Sequence, residues 1–285
     1  MNQSVAMKKD YLYPFLLKYS LLPSLGLWRA EEARLFGELE LKEPVLDLGC
    51  GNGFFAATAL DRQVEAGCDR DFSQVNRAKL SEAYRFALVA DIANLPFKNG
   101  TFTTIICNCV MEHIQHVEQV LHEISRILAP QGAFVFTAPS ERFNEWFYLS
   151  FLLRKLRLGG LADNQIQRYN RFQFHYNIWP VHRWSDELAK AGLVLDEYRY
   201  YSPRAVAFVF SALDDIQHAI AGMFRRKLTS SEALATRAGR QSDVGFFRDI
   251  LAQFWWLLLM PFHRMGLSRN GEGAGVLVRA RKTMA

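Results

Sequence analysis

Over the first half of the chain, short apolar runs alternate with amphipathic stretches. This β-α-β rhythm predicts a parallel sheet with helices on both faces. Strands are expected at Val45 to Leu48, entered through Pro44, and at Val64 to Cys68, Phe86 to Ala90, Phe102 to Cys107 and Gly132 to Thr137. Between them the pattern predicts helices over Gly53 to Leu60 and over Ser73 to Tyr84, the latter with Asp71 and Ser73 available as caps. A third helix places Val117, Val120, Leu121, Ile124 and Leu128 at helical spacing, and Pro130 and Gly132 should end it.

After Pro139 the rhythm breaks. Residues 140–183 are aromatic and basic with no clear period, and Ser185 then opens a helix that runs to Gly192, before a strand at Leu193 to Tyr200. Residues 205–268 read as two long apolar helices separated by the polar stretch Arg225 to Arg240, and Gly275 to Ala280 as the last strand. The roughly 70 residues between the last two strands exceed an ordinary connection and predict a functional elaboration. At the N-terminus, Lys18, Pro14 and Pro23 interrupt the apolar stretch Tyr11 to Trp28, which runs into a charged helical pattern. It is therefore expected to be mature protein rather than a signal peptide. Ile250 to Phe262 is too short to span a bilayer, which needs about 20 residues. The expected organisation is an N-terminal helical cap (1–42), a core (43–200) with an acceptor-side insertion (140–183), an apolar helical insertion (201–272), and a last core strand and tail (273–285).

Composition adds two points. Of the 285 residues, half are hydrophobic and 22% charged, enough to build a sizeable core. The overall +5 is unevenly spread: residues 1–140 hold 13 basic and 16 acidic side chains, leaving 21 and 13 for the remainder. Such a bias reads either as ordinary surface charge or as a face for something anionic, a phospholipid surface or a phosphorylated substrate. Cys50, Cys68, Cys107 and Cys109 show no C-x-x-C spacing, which favours a reducing compartment, hence the cytoplasm, and suggests no zinc site.

The chemistry concentrates in Val45-Leu-Asp-Leu-Gly-Cys-Gly-Asn-Gly-Phe-Phe-Ala56. Glycines at 49, 51 and 53, between a strand and a helix, let the backbone turn tightly and approach a ligand that a Cβ would push away. Asp69, 20 residues beyond Gly49, stands at the end of the second strand, where a carboxylate can take both hydroxyls of a ribose. The spacing is G-x-G-x-G and not the dinucleotide fingerprint G-x-G-x-x-G, which makes an NAD-dependent oxidoreductase a weak alternative.

With Ala66-Gly-Cys-Asp69, Ala90-Asp-Ile-Ala-Asn-Leu-Pro-Phe97 and Asn99 through Ile114, the segment resembles the class I S-adenosylmethionine-dependent methyltransferases, in particular the bacterial small-molecule (type 11-like) group. The likeness covers residues 43–140 well and 184–200 weakly. It implies a Rossmann-like α/β fold with a seven-stranded sheet whose last strand is antiparallel, under helical cap elements. By position, it implies that the backbone of Gly49, Cys50, Gly51, Asn52 and Gly53 wraps the methionine part of the cofactor, with Asp47 near its ammonium group. Asp69, with Arg70 beside it, would hold the ribose. Asp91 would bond the adenine amino group, Ile92 would offer its amide to the ring, and Asn108 would bring its carbonyl to the ammonium. A zwitterion with a sulfonium suits such carboxylates and carbonyls better than Lys or Arg clamps.

Methyl transfer from a sulfonium is an in-line displacement that asks the protein mainly to align the nucleophile and exclude water. Where the acceptor is a hydroxyl, a general base helps, and His113 is the candidate; its alternative is a capping or packing histidine. His175 and His182, in the aromatic stretch Tyr169 to Trp184, rank below it. Some quinone methyltransferases bind a divalent metal with a Glu three residues before the Glu-His pair; here that position is Cys109, so no metal is expected. The acceptor expected is a small, lipophilic or lipid-linked molecule methylated at O, C or N. Tyr11 to Trp28 and Phe246 to Leu267, apolar and edged with cations, read either as a lid or as a peripheral membrane contact. A nucleic-acid methyltransferase is a rival, though Asn108 is not followed by Pro-Pro and an aromatic, and no nucleic-acid partner is expected. A non-catalytic scaffold that keeps the cofactor fold stays open.

Overall fold

The computed structural model describes residues 9–223, 245–265 and 271–283. Among these the apolar runs become seven strands of one sheet: β1 (Val45–Leu48), β2 (Val64–Asp69), β3 (Tyr84–Val89), β4 (Phe102–Asn108), β5 (Leu128–Pro139), β6 (Leu193–Tyr201) and β7 (Gly275–Lys282). They hydrogen-bond in the order β3-β2-β1-β4-β5-β7-β6. The five strands from β3 to β5 are parallel, and β7 enters antiparallel between β5 and β6. The order reverses beside β1, so the loop after β1 opens into the crevice at the carboxyl edge, where open α/β sheets bind ligands. All four residues of β1 are buried, as a central strand covered on both faces requires.

Helices α3 (Phe54–Ala59), α4 (Phe72–Ala78) and α5 (Val117–Ile127) follow β1, β2 and β4. On α5, Val117, Val120, Leu121, Ile124 and Ile127 are buried at helical spacing against one face of the sheet, where α9 (Val181–Lys190) joins it through Trp184 and Leu188. The other face carries α1 (Leu12–Lys18), α2 (Pro23–Gly37), α3, α10 (Arg204–Met223) and α11 (Gly245–His263), and Phe15, Leu27, Trp28, Phe36 and Phe210 are prominent in that core.

Three expectations are corrected. The helix expected over Ser73 to Tyr84 stops at Ala78, because Tyr84 pairs with Val64 and opens β3, after a turn in which Glu82 takes φ 56°. Its N-terminus is capped by Asp71, which accepts the Ser73 and Gln74 N–H groups at 2.7 and 3.3 Å. Pro130 and Gly132 do not end α5; they lie within β5, which starts at Leu128 and absorbs the proline in a register shift opposite Phe102 and Thr104. The aperiodic 140–183 stretch is largely helical: α6 (Arg142–Glu145), α7 (Tyr148–Lys155) and α8 (Gly159–Gln173), with α9 starting at Val181 rather than Ser185. Over its 15 residues α8 buries only Ala162 and Gln173, so it had little apolar period to show. The polar stretch Arg225 to Arg240 lies outside the described residues.

Candidate active site

The turn after β1 is held across the sheet by Cys68, whose carbonyl accepts both the Gly49 and the Cys50 N–H, at 2.8 and 2.9 Å. Gly49, Gly51 and Gly53 all have left-handed backbone, with φ of 72°, 52° and 78°. A side chain at Gly49 would collide with Val110, and one at Gly53 with Ser81 and Tyr84; at Gly51 no described atom lies within 4 Å of where a Cβ would stand. The middle glycine therefore turns its backbone toward open space, and its N–H donates to Asp69 Oδ2 at 3.0 Å. Asp69 Oδ1 accepts the Asp71 N–H at 2.9 Å, so this carboxylate at the end of β2 braces both the glycine turn and the start of α4. Asn52 Oδ1 accepts the Phe54 N–H at 3.1 Å and closes the turn onto α3. Burial pushes the Cys50 thiol up, away from thiolate character. Arg70 is exposed.

Asp47, in β1 under the same turn, is buried and accepts the Tyr84 hydroxyl at 2.6 Å. Desolvation pushes its pKa up to about 7, against the stabilising Tyr84 bond and with a contribution from the Asp69 charge. Asp91, just past β3, is exposed and accepts the Ala93 N–H at 3.0 Å, while Ile92 is half-buried against the core. The Asn108 side chain bonds to α2 and β5: its Nδ2 donates to Glu32 Oε2 at 3.0 Å and its Oδ1 accepts the Thr137 hydroxyl at 2.7 Å.

Glu32 is a centre that sequence reasoning missed. Arg29, Glu31, Glu32 and Arg34 belong to the charged helical pattern that follows the apolar N-terminal stretch, and both glutamates are fully buried. Glu32 accepts from Asn108, from the Cys109 thiol (2.6 Å), from the Tyr201 hydroxyl (2.9 Å) and from Arg29 (2.9 Å), tying α2 to the ends of β4 and β6. Glu31 pairs with Arg34 (2.5 Å) and His263 (2.7 Å), tying α2 to α11. Two adjacent acids, each with an arginine three residues away, among the apolar residues of Leu27 to Phe36 were the available signal.

Beyond β4 the chain makes a single 3-10 turn, Met111–His113. The turn is tied to the segment after α8: the Tyr176 and Asn177 N–H groups donate to the Glu112 carbonyl, and the Asn177 side chain donates to the carbonyls of Met111 and Ile114. His113 Nδ1 lies 3.2 Å from the Phe174 carbonyl and its Nε2 3.8 Å from Glu112 Oε1. The His175 ring is 5.2 Å from that of His113. Burial holds His175 neutral, at about 3, and raises the Glu112 carboxyl. The fold thus unites His113 with His175, whereas His182 lies exposed on α9. Ligand atoms of Glu112, His113 and His175 lie within 4.8 Å of one another, a spacing that can take a metal ion; the sequence reading, which stopped at Cys109, had no means of placing His175 there. A cavity of about 480 Å³ opens beside them, lined by Gln167, Asn170, Arg171, Phe174, His175 and Tyr176.

A methyltransferase-domain model matches residues 25–198. The chain belongs to that family. It is 30% identical over 115 residues to a malonyl-[acyl-carrier protein] O-methyltransferase of Legionella pneumophila, a match covering 37% of this chain and 40% of that one, well under two thirds of the relative's length. A demethylmenaquinone methyltransferase of Lactococcus lactis is 28% identical over 199 residues, 65% of this chain and 79% of the relative. Among solved structures, a SAM-dependent methyltransferase from Thermotoga maritima superposes with a TM-score of 0.51 at 16% identity, over 90% of this chain and 89% of that one. The [4+2]-cyclase SpnF does so at 0.52 and 18%, over 90% and 82%. At such identities the superpositions establish the fold, which serves more than one chemistry. The family's cofactor is S-adenosylmethionine, and the residues present fit it: a backbone cradle at Gly51 that a Cβ would fill, and carboxylates suited to a cation and to hydroxyls.

Proposed function

We propose that this protein transfers a methyl group from S-adenosylmethionine to a small, lipophilic or lipid-linked acceptor. The observation that carries the reading is the left-handed Gly51, with open space at its missing Cβ and its N–H held by the Asp69 carboxylate. The cofactor, when bound, supplies a methyl carbon made electrophilic by the sulfonium. The main chain from Gly49 to Gly53 and the Asn108 carbonyl would hold its methionine part, Asp69 its ribose hydroxyls, and Asp91 with the Ile92 amide its adenine. The chain's remaining task is to align the acceptor and exclude water. His113, with Nδ1 against the Phe174 carbonyl, keeps Nε2 for a proton and would serve a hydroxyl acceptor as base. Residues 1–42 and the apolar helices of 201–272 would cap the acceptor, and this aromatic cover supports a lipophilic one.

The test is incubation with methyl-labelled cofactor and fractionated extracts of the source cells. Label should enter a small, solvent-extractable product, and His113→Gln should slow the transfer about 10²-fold while leaving cofactor affinity unchanged. Label confined to RNA or DNA, or no transfer to any fraction, would defeat the proposal.

A pH dependence follows from Asp47. With its carboxyl at about 7 in the free protein, a bound cation favours the ionised form, so binding below pH 7 must expel a proton. Affinity for S-adenosylmethionine should therefore rise about ten-fold from pH 6 to pH 8. Asp47→Asn should flatten that slope, which titration calorimetry at the two pH values would reveal.

A further inference from the structure

Glu112, His113 and His175 leave electron pairs that no group of the chain takes up. Glu112 is buried, with 2% of its side chain exposed, and its Oε2 has no hydrogen-bond partner among the described residues. His175 Nδ1 is buried and equally without a partner. A buried polar atom left unmet costs free energy, so something outside the chain is expected to meet these two.

The orientation of His113 says what kind of species that is. Its Nδ1 lies 3.2 Å from the Phe174 carbonyl, and a carbonyl can only accept, so in the neutral ring Nδ1 carries the proton and Nε2 presents its lone pair. Histidines that bind metal make this same contact through their other nitrogen. The Nε2 lone pair faces Glu112 Oε1 at 3.8 Å, and two such donors need a positive charge between them. A proton on Nε2 would answer Oε1 alone. A cation answers all three side chains at once, because one ligand atom from each lies within 4.8 Å of the other two. Ligands 2.0–2.1 Å from a tetrahedral ion stand about 3.4 Å apart, and the Nε2–Oε1 pair is already close to that spacing.

The backbone holds the donors together in advance. The Tyr176 N–H reaches the Glu112 carbonyl at 2.7 Å, and the buried Asn177 side chain donates to the Met111 and Ile114 carbonyls at 2.9 and 2.6 Å. Phe174, whose carbonyl fixes His113, takes left-handed backbone with φ 57°, uncommon for so bulky a residue. Cys109 takes no part, since its thiol donates to Glu32. Two imidazoles with one carboxylate suit a zinc-class ion, whereas magnesium and calcium prefer oxygen throughout. Three protein ligands leave a coordination position open, and the cavity of about 480 Å³ that His175 helps to line gives room for a further ligand.

We propose that Glu112, His113 and His175 bind a divalent first-row transition-metal ion of the zinc class, with an open position for an oxygen of the acceptor. The site stands without the methyl-transfer reading; only its role rests on that reading. In the loaded chain His113 is a ligand, and the ion replaces the free imidazole as the group that activates a hydroxyl. The bound O–H, made more acidic, loses its proton to water. The oxygen pair then forms the bond to the methyl carbon as the C–S pair leaves on sulfur.

Calorimetric titration of zinc into the full chain, stripped beforehand with a chelator, tests the site. One ion per chain should bind, and magnesium should give no heat. His175→Ala and the nearly isosteric Glu112→Gln should each weaken zinc binding about 100-fold, while His182→Ala, at an exposed position on α9, should bind as wild type does. In the chelator Glu112→Gln should melt as wild type does, and it should lose the rise in melting temperature that zinc gives wild type. Absence of zinc binding, magnesium bound as tightly, or an affinity that neither Glu112→Gln nor His175→Ala alters would overturn the proposal. Label transfer at full rate in the chelator would overturn the coordination of the acceptor and leave methyl transfer standing. Failure to bind S-adenosylmethionine by a chain that binds zinc would instead defeat the methyl-transfer reading and support the metal site alone.

Discussion

Replacing Asp69 with alanine is expected to weaken S-adenosylmethionine binding at least 100-fold, about 3 kcal/mol at 1.4 kcal/mol per ten-fold. The magnitude follows from what the carboxylate holds in the free protein. It accepts the Gly51 N–H at 3.0 Å and the Asp71 N–H at 2.9 Å, and bonds to a charged acceptor contribute about 1.5–3 kcal/mol each. The alanine variant loses the brace on a left-handed glycine turn together with the acceptor proposed for the ribose hydroxyls. Asp69→Asn, which keeps one acceptor oxygen, should fall between alanine and wild type. Calorimetric titration with the cofactor and with its demethylated product measures both. The two ligands share the adenosine, so both should weaken together; an unchanged affinity in Asp69→Ala would remove this residue from the site. Loss of the brace alone is distinguishable, because it would lower the melting temperature with the ligand contacts intact.

The glycine turn was legible from sequence because its constraint is local. Three glycines after a strand and a carboxylate 20 residues on are a backbone requirement written into residue type, and the turn adopts the left-handed φ values that requirement implies. The β-α-β rhythm was legible for a related reason, since burial on both faces of β1 and on one face of α5 leaves period and run length in the sequence. What escaped had its cause elsewhere in the chain. Helix α8 hides little of itself and shows no apolar period, and the early end of α4 is decided by the pairing of Tyr84 with Val64, which no local propensity records. His175 meets His113 only because Glu112 and Asn177 lash two distant segments together. Glu31 and Glu32 left the least local sign of their role. Their i,i+3 partners Arg34 and Arg29 are what an exposed helix face offers, and it is the helices packed around α2, with the ends of β4 and β6, that make those pairs interior.

That interior position gives Glu32 the second large expected effect. Glu32→Ala should destabilise the protein by about 3–5 kcal/mol, the range for removing one partner of a buried ion pair. The cost comes less from the lost attraction than from the groups left behind: the Asn108 amide, the Cys109 thiol and the Tyr201 hydroxyl all point at the vacated position, with the Arg29 charge beside them. Glu32→Gln retains an acceptor oxygen and nearly the same volume but loses the charge, so a smaller loss of about 1–2 kcal/mol is expected. Urea denaturation of the two variants measures the difference. A second readout separates this network from ordinary packing. Asn108 is the residue whose carbonyl is proposed to meet the cofactor, and Cys109, next to it, holds φ 49° with its thiol bonded to Glu32. Freed of Glu32, this segment loses one anchor and keeps the Thr137 contacts at 2.7 and 3.1 Å. Glu32→Gln, still folded, should therefore weaken S-adenosylmethionine binding several-fold, whereas a Leu27→Ala cavity elsewhere on α2 should cost about 2–5 kcal/mol of stability with affinity unchanged. If both variants lower stability and neither moves the affinity, α2 is a cover for the sheet and takes no part in shaping the cofactor site.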